Sequence, residues 1–448
     1  INDGNWLPGA LRTAIAHFAD LFRAMDDPYL NARHEDIHHI GNKLYNTWRG
    51  DRALALPKGQ RIVLVGAQVS VSDIAAVPRG MLEGIVCFEG SSMSHTAVVA
   101  NALGVPAVMG TGPIRNLTVN CQLIVDGNQG EVIQSPTGSL LAEYRTLQND
   151  QRFLAKRLEK IRELPATSAD GVEVTLYTNT GLLADISPGI FNGAQGVGLY
   201  RTEIPFMIRS SFPSEEEQVA VYTQVLSAYR GKPVHMRTLD VGGDKPLPYF
   251  PVENEANPAL GWRGIRFTLD NSQLLMTQLR AMIRAGSEPG NLRILIPMVS
   301  STGELDSFRE LLDDALTQLR AEGFEVKRPP LGVMVEVPAA ISQIPLWSGK
   351  LDFISIGSND LSQYLLALDR NNPRVAVRYD HVHPAVLLEI DRILRSAAAH
   401  NIPVSLCGEM ASDPVAVVLL LGLGLRTLSM SAARIPQIKW LIRTLTLD

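Results

Sequence analysis

The 448-residue sequence is poor in cysteine and in long hydrophobic runs. Its three cysteines are Cys87, Cys121 and Cys407. They lie far apart, without the spacing of a disulfide framework or a zinc site, so we expect a reduced, cytoplasmic compartment. The longest hydrophobic run, residues 415–425, is broken by Gly422 and Gly424 and is too short to span a bilayer. The first residues show no signal-peptide pattern.

The sequence also has no large excess of positive or negative charge. The chain has 41 Lys and Arg against 46 Asp and Glu, a formal net charge of −5. This balance provides no broad basic surface for nucleic acid or for a membrane, so we expect neither partner. The length fits about two or three domains. Because the chain begins with Ile1 and not with Met, we expect it to be part of a longer protein.

One histidine pair matches a metal-site pattern. His34, Glu35 and His38 have the His-Glu-x-x-His spacing that places two zinc ligands on one helical face. No third ligand follows at an obvious position, and so short a match arises easily by chance. We therefore interpret this segment as the polar face of a helix.

A different setting surrounds His95. The loop Gly90-Ser91-Ser92 allows close approach of the backbone to an anion, Ser94 is a helix-capping residue type, and residues 96–103 suit a short buried helix. His95 would then lie at a helix N-terminus, where free N–H groups and the helix dipole favour phosphate. A lone histidine beside a hydrophobic run is more often structural, so this hypothesis depends on the rest of the chain.

The pattern of hydrophobic spacing, short β-like runs and charged segments predicts four parts. Residues 1–49 have the hydrophobic spacing of a helical hairpin, interpreted as the remnant of a larger helical subdomain. Residues 50–135 contain short β-like runs around His95 and end in a hairpin signal at Asp126-Gly127, which indicates a small α/β domain. A long charged helix over 136–165 looks like a connector.

Residues 166–448 alternate β-like and helical segments. The eight predicted strands are Val172–Tyr177, Gly196–Tyr200, Val234–Leu239, Ile294–Val299, Gly332–Val337, Phe353–Ile356, Val404–Cys407 and Leu428–Met430. Eight β/α units in this length favour a closed (β/α)8 barrel over an open sheet. The active site of such a barrel lies at the carboxyl ends of its strands.

Polar side chains lie at or just after the carboxyl ends of five of these strands. They include Arg201 and Glu203, Arg237 and Asp240, Glu336, Asn359 and Asp360 with Arg370 further on, and Cys407 and Glu409. Guanidinium groups bind phosphate or carboxylate oxygens bidentately, so the arginines imply a small, multiply charged anion. Glu336 and Asp360 are hard oxygen ligands that suit Mg²⁺. A barrel that handles phosphoryl groups and a separate histidine domain together suggest phosphoryl transfer to His95.

Several longer motifs resemble one family throughout nearly the whole chain. They are GLYRTEIPFM from Gly198, RTLDVGGDK from Arg237, NPALGWRGIR from Asn257, GVMVEVP from Gly332, DFISIGSNDLSQYLLALDRNN from Asp352 and LCGEM from Leu406. They resemble Enzyme I of the bacterial phosphoenolpyruvate-dependent phosphotransferase system, the phosphoenolpyruvate–protein phosphotransferases. The stretch from Arg201 to Gln218 is most similar to the nitrogen-type paralogue.

The resemblance implies a set of roles. His95 would accept the phosphoryl group through Nε2 and pass it to a small HPr-like phosphocarrier protein. The implied substrate ligands are Arg201, Arg237 and Arg370 on the phosphate of phosphoenolpyruvate, Asn359 beside them, and Arg263 and Lys245 in support. Glu336 and Asp360 would bind Mg²⁺, and Cys407 would protonate the enolate as pyruvate forms. The family also implies a homodimer through the barrel and a swinging histidine domain.

Two departures from the family pattern bear on these expectations. Ser91, Met93 and Asn101 replace the family's residues around the histidine, so we expect the His95 half-reaction to differ from the family's. At the ends, part of the carrier-binding subdomain before residue 1 and a helical segment after residue 448 are missing relative to the family.

Two alternatives stay open from the sequence. One is the histidine and barrel part of an enzyme like pyruvate, phosphate dikinase, which would also need an ATP-binding domain. The other is a regulatory protein that senses phosphoenolpyruvate with little or no turnover, for which Met93 and Asn101 are the motivating residues.

Overall fold

The fold is described from a computed structural model. The described residues are 6–23, 41, 61–67, 69, 71–78, 80–89, 96, 97, 100, 104–114, 117–207, 211–243, 247, 249, 250, 255–370, 372–376 and 378–447. The chain separates into two compact units, Ile1–Leu154 and Ala155–Asp448. His95 and Lys245, and the zinc-like pair His34 and His38, lie outside the described residues. No helix in the described part of the chain is long and apolar enough to cross a membrane.

The first unit contains the small α/β domain. Helix α1 (Leu7–Arg23) precedes this domain in the unit. The strands of the domain are β1 (Ile62–Gly66), β2 (Leu82–Cys87), β3 (Ala107–Met109), β4 (Leu123–Asp126) and β5 (Glu131–Gln134), and helix α2 (Val71–Ala76) follows β1. Strands β1, β2 and β3 form a parallel sheet in that order. Their inner face packs a small core that includes Ile85 and Cys87, so Cys87 is a buried hydrophobic residue, as expected for a structural cysteine.

The predicted hairpin at Asp126-Gly127 is confirmed. Strands β4 and β5 pair antiparallel, with Asp126 opposite Glu131. The Asp126 carboxylate accepts hydrogen bonds from the backbone N–H groups of Asn128 and Gln129, at 2.9 and 3.0 Å. Gly130 has φ 71°, in the left-handed region that glycine adopts without steric cost. The side-chain cap and the glycine together fix the turn.

A 24-residue helix, α3 (Gly138–Ile161), occupies the predicted connector. In the first unit it contacts the small domain through the Tyr144 hydroxyl, 3.3 Å from Asp126, and through Gln148, 3.4 Å from Glu83. Its last residues belong to the second unit, where Arg157 lies over the Trp440 ring and Lys439 donates to the carbonyl of Arg162. A hydrogen-bond donor at this position satisfies an unpaired carbonyl beyond the helix C-terminus.

The second unit is the closed (β/α)8 barrel that the sequence predicts. Its eight parallel strands are β6 (Thr175–Thr180), β7 (Val197–Arg201), β8 (Val234–Arg237), β9 (Leu292–Ile296), β10 (Leu331–Val335), β11 (Phe353–Ile356), β12 (Val404–Leu406) and β13 (Thr427–Ser431). They follow each other around the barrel in chain order, and β13 closes it by pairing with β6. Every predicted strand overlaps an observed one.

Helices surround this barrel. Those between β6 and β9 are α4 (Ile186–Phe191), α5 (Glu203–Met207), α6 (Glu215–Ala228), α7 (Ile265–Asp270) and α8 (Ser272–Gly286). Those that follow are α9 (Thr302–Ala321), α10 (Pro338–Gln343), α11 (Ser358–Leu366), α12 (Pro373–Ala376), α13 (Pro384–Ala399), α14 (Pro414–Gly422) and α15 (Ile435–Ile442). Capping boxes begin α6 at Ser214 and α9 at Ser301, where each serine exchanges hydrogen bonds with the glutamate three residues later.

Inside the barrel, His235 on β8 is enclosed by aromatic rings. Its ring centroid lies 4.9 Å from that of Phe353 and 5.5 Å from that of Tyr177, and its Nδ1 is 2.8 Å from the carbonyl oxygen of Val197. Burial lowers the pKa of His235 from 6.5 to about 4, with the bond to Val197 opposing the shift. The imidazole is therefore neutral near pH 7.

We expect acid to destabilise the barrel through His235. In the unfolded chain this residue binds a proton near pH 6.5, whereas in the fold it does so only near pH 4. Stability is therefore lost as the pH falls through this window, by about 3 kcal/mol in all for the single group. The measurement is denaturant unfolding as a function of pH for the wild type and His235→Gln, which does not titrate. The variant is expected to show the shallower dependence, and equal slopes would contradict the assignment.

Candidate active site

The predicted site residues of the barrel meet at one rim. Arg201 ends β7 and Arg237 ends β8. Glu336 directly follows β10, Asp360 lies in the first turn of α11 after β11, and Cys407 directly follows β12. Because the carboxyl ends of parallel strands lie on the same side of a barrel, residues far apart in sequence are brought to one face.

Arg237 and Arg263 are held in a buried ion network. Arg237 donates through Nη2 to Glu203, and the same nitrogen is 3.2 Å from Asp240 Oδ2. Arg263 lies 3.0 Å from Asp240 and 3.4 Å from Asp360. Burial disfavours both guanidinium charges, but these carboxylates more than offset it and raise the pKa of each arginine. Both arginines are thus fixed as cations.

The buried carboxylates outnumber the buried cations. Glu203, Asp240, Glu336 and Asp360 are the acids. Against them stand Arg237 and Arg263, with the half-buried Arg370 3.1 Å from Asp360. Burial, with Asp360 and Asp240 nearby, raises the pKa of Glu336. The buried part of this rim therefore has more carboxylates than guanidinium groups.

Glu336 is positioned by unusual backbone. Its Oε1 accepts a hydrogen bond of 2.7 Å from the N–H of Met298, a residue in the left-handed region with φ 59°. A β-carbon at Gly357 would lie 2.9 Å from Glu336 Oε2. The first feature is a strained conformation that persists only where surrounding structure enforces it, and the second requires glycine for close approach. The carboxylate is therefore held in one place.

An open cavity of about 420 Å³ lies at this rim. Its lining includes Asn179, Arg201, Asn359, Cys407, Glu409 and Ser431. Asn359 turns its Oδ1 to the N–H of Glu409, at 2.9 Å, and Arg201 is exposed. The volume suits a small anion with room for water.

Cys407 is only 4% exposed, yet it lines this cavity. Its thiol donates to the carbonyl of Ile356, at 3.6 Å. Burial raises the pKa of the thiol to about 11, with Ser355 opposing the shift. Near pH 7 the sulfur therefore carries a proton, which suits a donor of protons and not a nucleophile.

Asn179 and Ser429 complete the site, and the sequence analysis missed both. The Asn179 amide donates to the carbonyls of Cys407, at 2.9 Å, and Ser429, at 3.3 Å. Its Oδ1 accepts from the Ser429 hydroxyl at 2.6 Å. One side chain thus ties β6 and β13 to the residue that bears the thiol. Their only signal in the sequence is position, because Asn179 lies near the end of β6 and Ser429 lies in β13.

Whether a metal ion fits this rim depends on which side chains have oxygens free to bind it. In the described part of the chain, no group of three His, Cys, Asp or Glu side chains is arranged to hold a metal. Asp360 Oδ1 and Glu203 Oε2 are buried and accept no hydrogen bond from described residues. Two carboxylates with spare acceptor capacity fit Mg²⁺, which commonly takes one or two carboxylates and completes its shell with water and substrate phosphate. Asp360 has such an oxygen, 3.1 Å from Arg370, whereas Oε1 of Glu336 already accepts from the N–H of Met298.

Comparisons with known proteins agree with this geometry. The family described as "PEP-utilising enzyme, PEP-binding domain" matches residues 155–447, and "PEP-utilising enzyme, mobile domain" matches residues 58–130. The chain belongs to the family of phosphoenolpyruvate-utilising enzymes, since the first match alone covers more than half of it. The matched segments contain the barrel and the region of His95 respectively.

Curated relatives are similar over nearly the whole chain. A protein of Escherichia coli (strain K12) named "Phosphoenolpyruvate-dependent phosphotransferase system" is 43% identical over 446 residues, 99% of this chain and 59% of the relative. A "Phosphoenolpyruvate-protein phosphotransferase" of Listeria innocua is 39% identical over 442 residues, 97% of this chain and 77% of the relative. The chain thus spans less than two thirds of the first relative and about three quarters of the second.

Proposed function

We propose that this protein transfers the phosphoryl group of phosphoenolpyruvate to His95, releases pyruvate, and passes the group to a small HPr-like phosphocarrier protein. The observation that supports this most directly is the carboxyl rim of the barrel, where Arg201, Asn359 and the protonated thiol of Cys407 line one cavity and the buried ion network of Arg237 lies at the ends of the same strands. The likeness to phosphoenolpyruvate-protein phosphotransferases supports the same substrate and acceptor.

The arginines serve substrate binding in this proposal. Arg201, Arg237 and Arg370 bind the phosphate oxygens, with Asn359, Arg263 and Lys245 in support. Rigid guanidinium groups held by buried acids need no rearrangement as charge spreads over the transferring group, which is the main way in which a protein lowers this barrier. Glu336 and Asp360 would hold Mg²⁺, which when bound would neutralise charge on the phosphoryl oxygens.

The reaction breaks a P–O bond and an S–H bond and forms an N–P bond and a C–H bond. The P–O bond of phosphoenolpyruvate breaks, the His95 ring nitrogen bonds to phosphorus, and the electron pair remains on the departing enolate. The Cys407 thiol then donates its proton to the terminal carbon of the enolate, which gives pyruvate, and the thiolate regains a proton from water. The raised pKa of Cys407 keeps that proton available near pH 7.

The proposal extends to organisation and partners. The four parts at residues 1–49, 50–135, 136–165 and 166–448 act as carrier-binding remnant, phosphohistidine domain, connector and phosphoenolpyruvate-binding barrel. The protein works in the cytoplasm as a homodimer through the barrel. The nitrogen-type assignment stays a prediction from the stretch between Arg201 and Gln218.

Labelling tests the function. The protein is incubated with Mg²⁺ and phosphoenolpyruvate labelled in the phosphate, and the acid-labile, base-stable label on protein is counted. We expect label on the wild type and on the control His17→Ala, which alters an exposed histidine of α1. His95→Ala, or removal of Mg²⁺ by a chelator, is expected to abolish it. No label on the wild type, with phosphoenolpyruvate still bound, would instead favour the sensing function.

Asn179 gives a further prediction, as a positioning residue for Cys407. Asn179→Asp keeps the shape but places a carboxylate against the two carbonyls that the amide now binds. We expect kcat for pyruvate formation to fall about tenfold to a hundredfold, as expected when a catalytic group is misplaced. KM should change little. The measurement is steady-state kinetics, and a rise in KM with unchanged kcat would contradict the positioning role.

A further inference from the structure

A second, smaller cavity lies at the opposite end of the barrel. It has a volume of about 100 Å³ and its lining includes Arg309, Arg328, Lys350 and Asp352. Leu331, the first residue of β10, also lines it, and Asp352 immediately precedes β11. The cavity is thus at the amino ends of the two strands whose carboxyl ends lead to Glu336 and Asp360. It is separate from the rim already described.

The acids near this cavity are largely engaged. Lys350 Nζ contacts both oxygens of Asp306, at 2.8 and 2.7 Å. Asp352 accepts the N–H of Leu331 at 2.7 Å, and Asp313 accepts from Arg328. These contacts neutralise the charges of Lys350 and Arg328 and fix the side chains that form the cavity wall. Of the three cations that line the cavity, Arg309 has the longest contact to an acid.

Arg309 has donors to spare. Its Nη1 is 3.7 Å from Asp306 Oδ1, beyond hydrogen-bond distance. Its Nε is buried and has no hydrogen-bond partner among the described residues. A buried donor without an acceptor costs about 1 to 3 kcal/mol, so a guanidinium in this state favours any acceptor that can enter. Such an acceptor can enter from the cavity that Arg309 lines.

We propose that this cavity binds a small oxyanion, of the class of inorganic phosphate or a short carboxylate. Arg309, whose contact to Asp306 is 3.7 Å long and whose Nε has no hydrogen-bond partner among the described residues, supplies the N–H donors, and Arg328 and Lys350, each paired with an aspartate, line the same cavity. Guanidinium N–H groups match the oxygens of such anions in spacing and charge. The volume admits an anion with three or four oxygens and excludes a nucleotide. This site is independent of the proposed phosphoryl transfer and does not require it.

Arginine-directed chemical modification tests the proposal at the level of single residues. The wild type is treated with phenylglyoxal with and without inorganic phosphate, at constant ionic strength set with chloride, and peptides are quantified by mass spectrometry. We expect phosphate to slow modification of Arg309 several-fold and saturably. The exposed Arg230 is the internal control and should react at an unchanged rate. An unchanged rate at Arg309 would overturn the proposal.

A second measurement applies even where Arg309 reacts poorly. Phosphate should raise the thermal unfolding midpoint, because a ligand of the folded state stabilises it. The part of this shift that comes from the cavity should disappear in Arg309→Gln. The same part should persist in Arg370→Gln, which alters the carboxyl rim of the barrel. The same phosphate-dependent shift in Arg309→Gln and the wild type would show that no anion binds at this cavity.

Discussion

Replacing Arg237 by glutamine is expected to damage both turnover and stability. The wild-type guanidinium neutralises Glu203 and Asp240 in a fully buried network, and removing it leaves buried carboxylates without their counter-ion. Loss of one partner from such a network costs about 3 to 5 kcal/mol. Loss of one preorganised donor to the transferring phosphoryl group slows chemistry by a factor on the order of 10² to 10³. Denaturant unfolding and the rate of pyruvate release measure the two effects.

Matched variants separate these effects. Arg230→Gln removes an arginine whose pair with Glu288 is exposed, so its cost should be about 1 kcal/mol or less. The double variant Arg237→Gln, Glu203→Gln removes the charge of one abandoned carboxylate and should recover stability. It should not recover turnover if Arg237 binds substrate. Recovery of turnover together with stability would show that Arg237 has a structural role only.

The second large effect is expected at Cys407. Cys407→Ala removes the proposed proton donor, so pyruvate formation should slow by a factor on the order of 10² to 10⁴. Binding of phosphoenolpyruvate should be nearly unchanged, because the arginines and acids of the rim remain. The measurement is single-turnover pyruvate release alongside equilibrium binding. Cys121→Ala, at a half-buried cysteine of the other unit, is the matched control and should behave as the wild type.

The stereochemistry of the methyl group of pyruvate distinguishes a proton-donating Cys407 from a purely structural one. With phosphoenolpyruvate labelled by hydrogen isotopes at its terminal carbon, a positioned thiol delivers its proton to one face and yields a chiral methyl group. In Cys407→Ala, the enolate should be protonated by water from both faces. Retained chirality and unchanged turnover would remove Cys407 from the proton transfer.

The barrel was predictable from the sequence because its signals are local and repeated. Parallel strands covered on both faces are continuous hydrophobic runs, and β10, for example, is buried at every position. Polar residues that directly follow such runs must meet at the carboxyl rim, so Arg237, Glu336 and Cys407 could be brought together without coordinates. Strand boundaries were predicted less accurately than strand order, and the first predicted strand, residues 172–177, lies three residues too early at each end.

The contacts inside the site were less predictable. Glu203 and Asp240 were recognised as polar residues at strand ends, but their pairing with Arg237 depends on barrel geometry and side-chain direction. The bond from Asn179 to Cys407 joins residues 228 positions apart. Neither contact has a signature in spacing or composition. In α1, whose hydrophobic spacing was part of the predicted helical hairpin, Phe18 is 52% exposed.

The most direct test of phosphoryl transfer compares two products in one rapid-quench experiment. Wild-type protein is mixed with excess labelled phosphoenolpyruvate and Mg²⁺ in the absence of any carrier, and both pyruvate and protein-bound label are counted through the first turnover. We predict that the two rise together in a one-to-one ratio, with the label on the peptide that contains His95. Pyruvate released without label on that peptide would contradict transfer to His95.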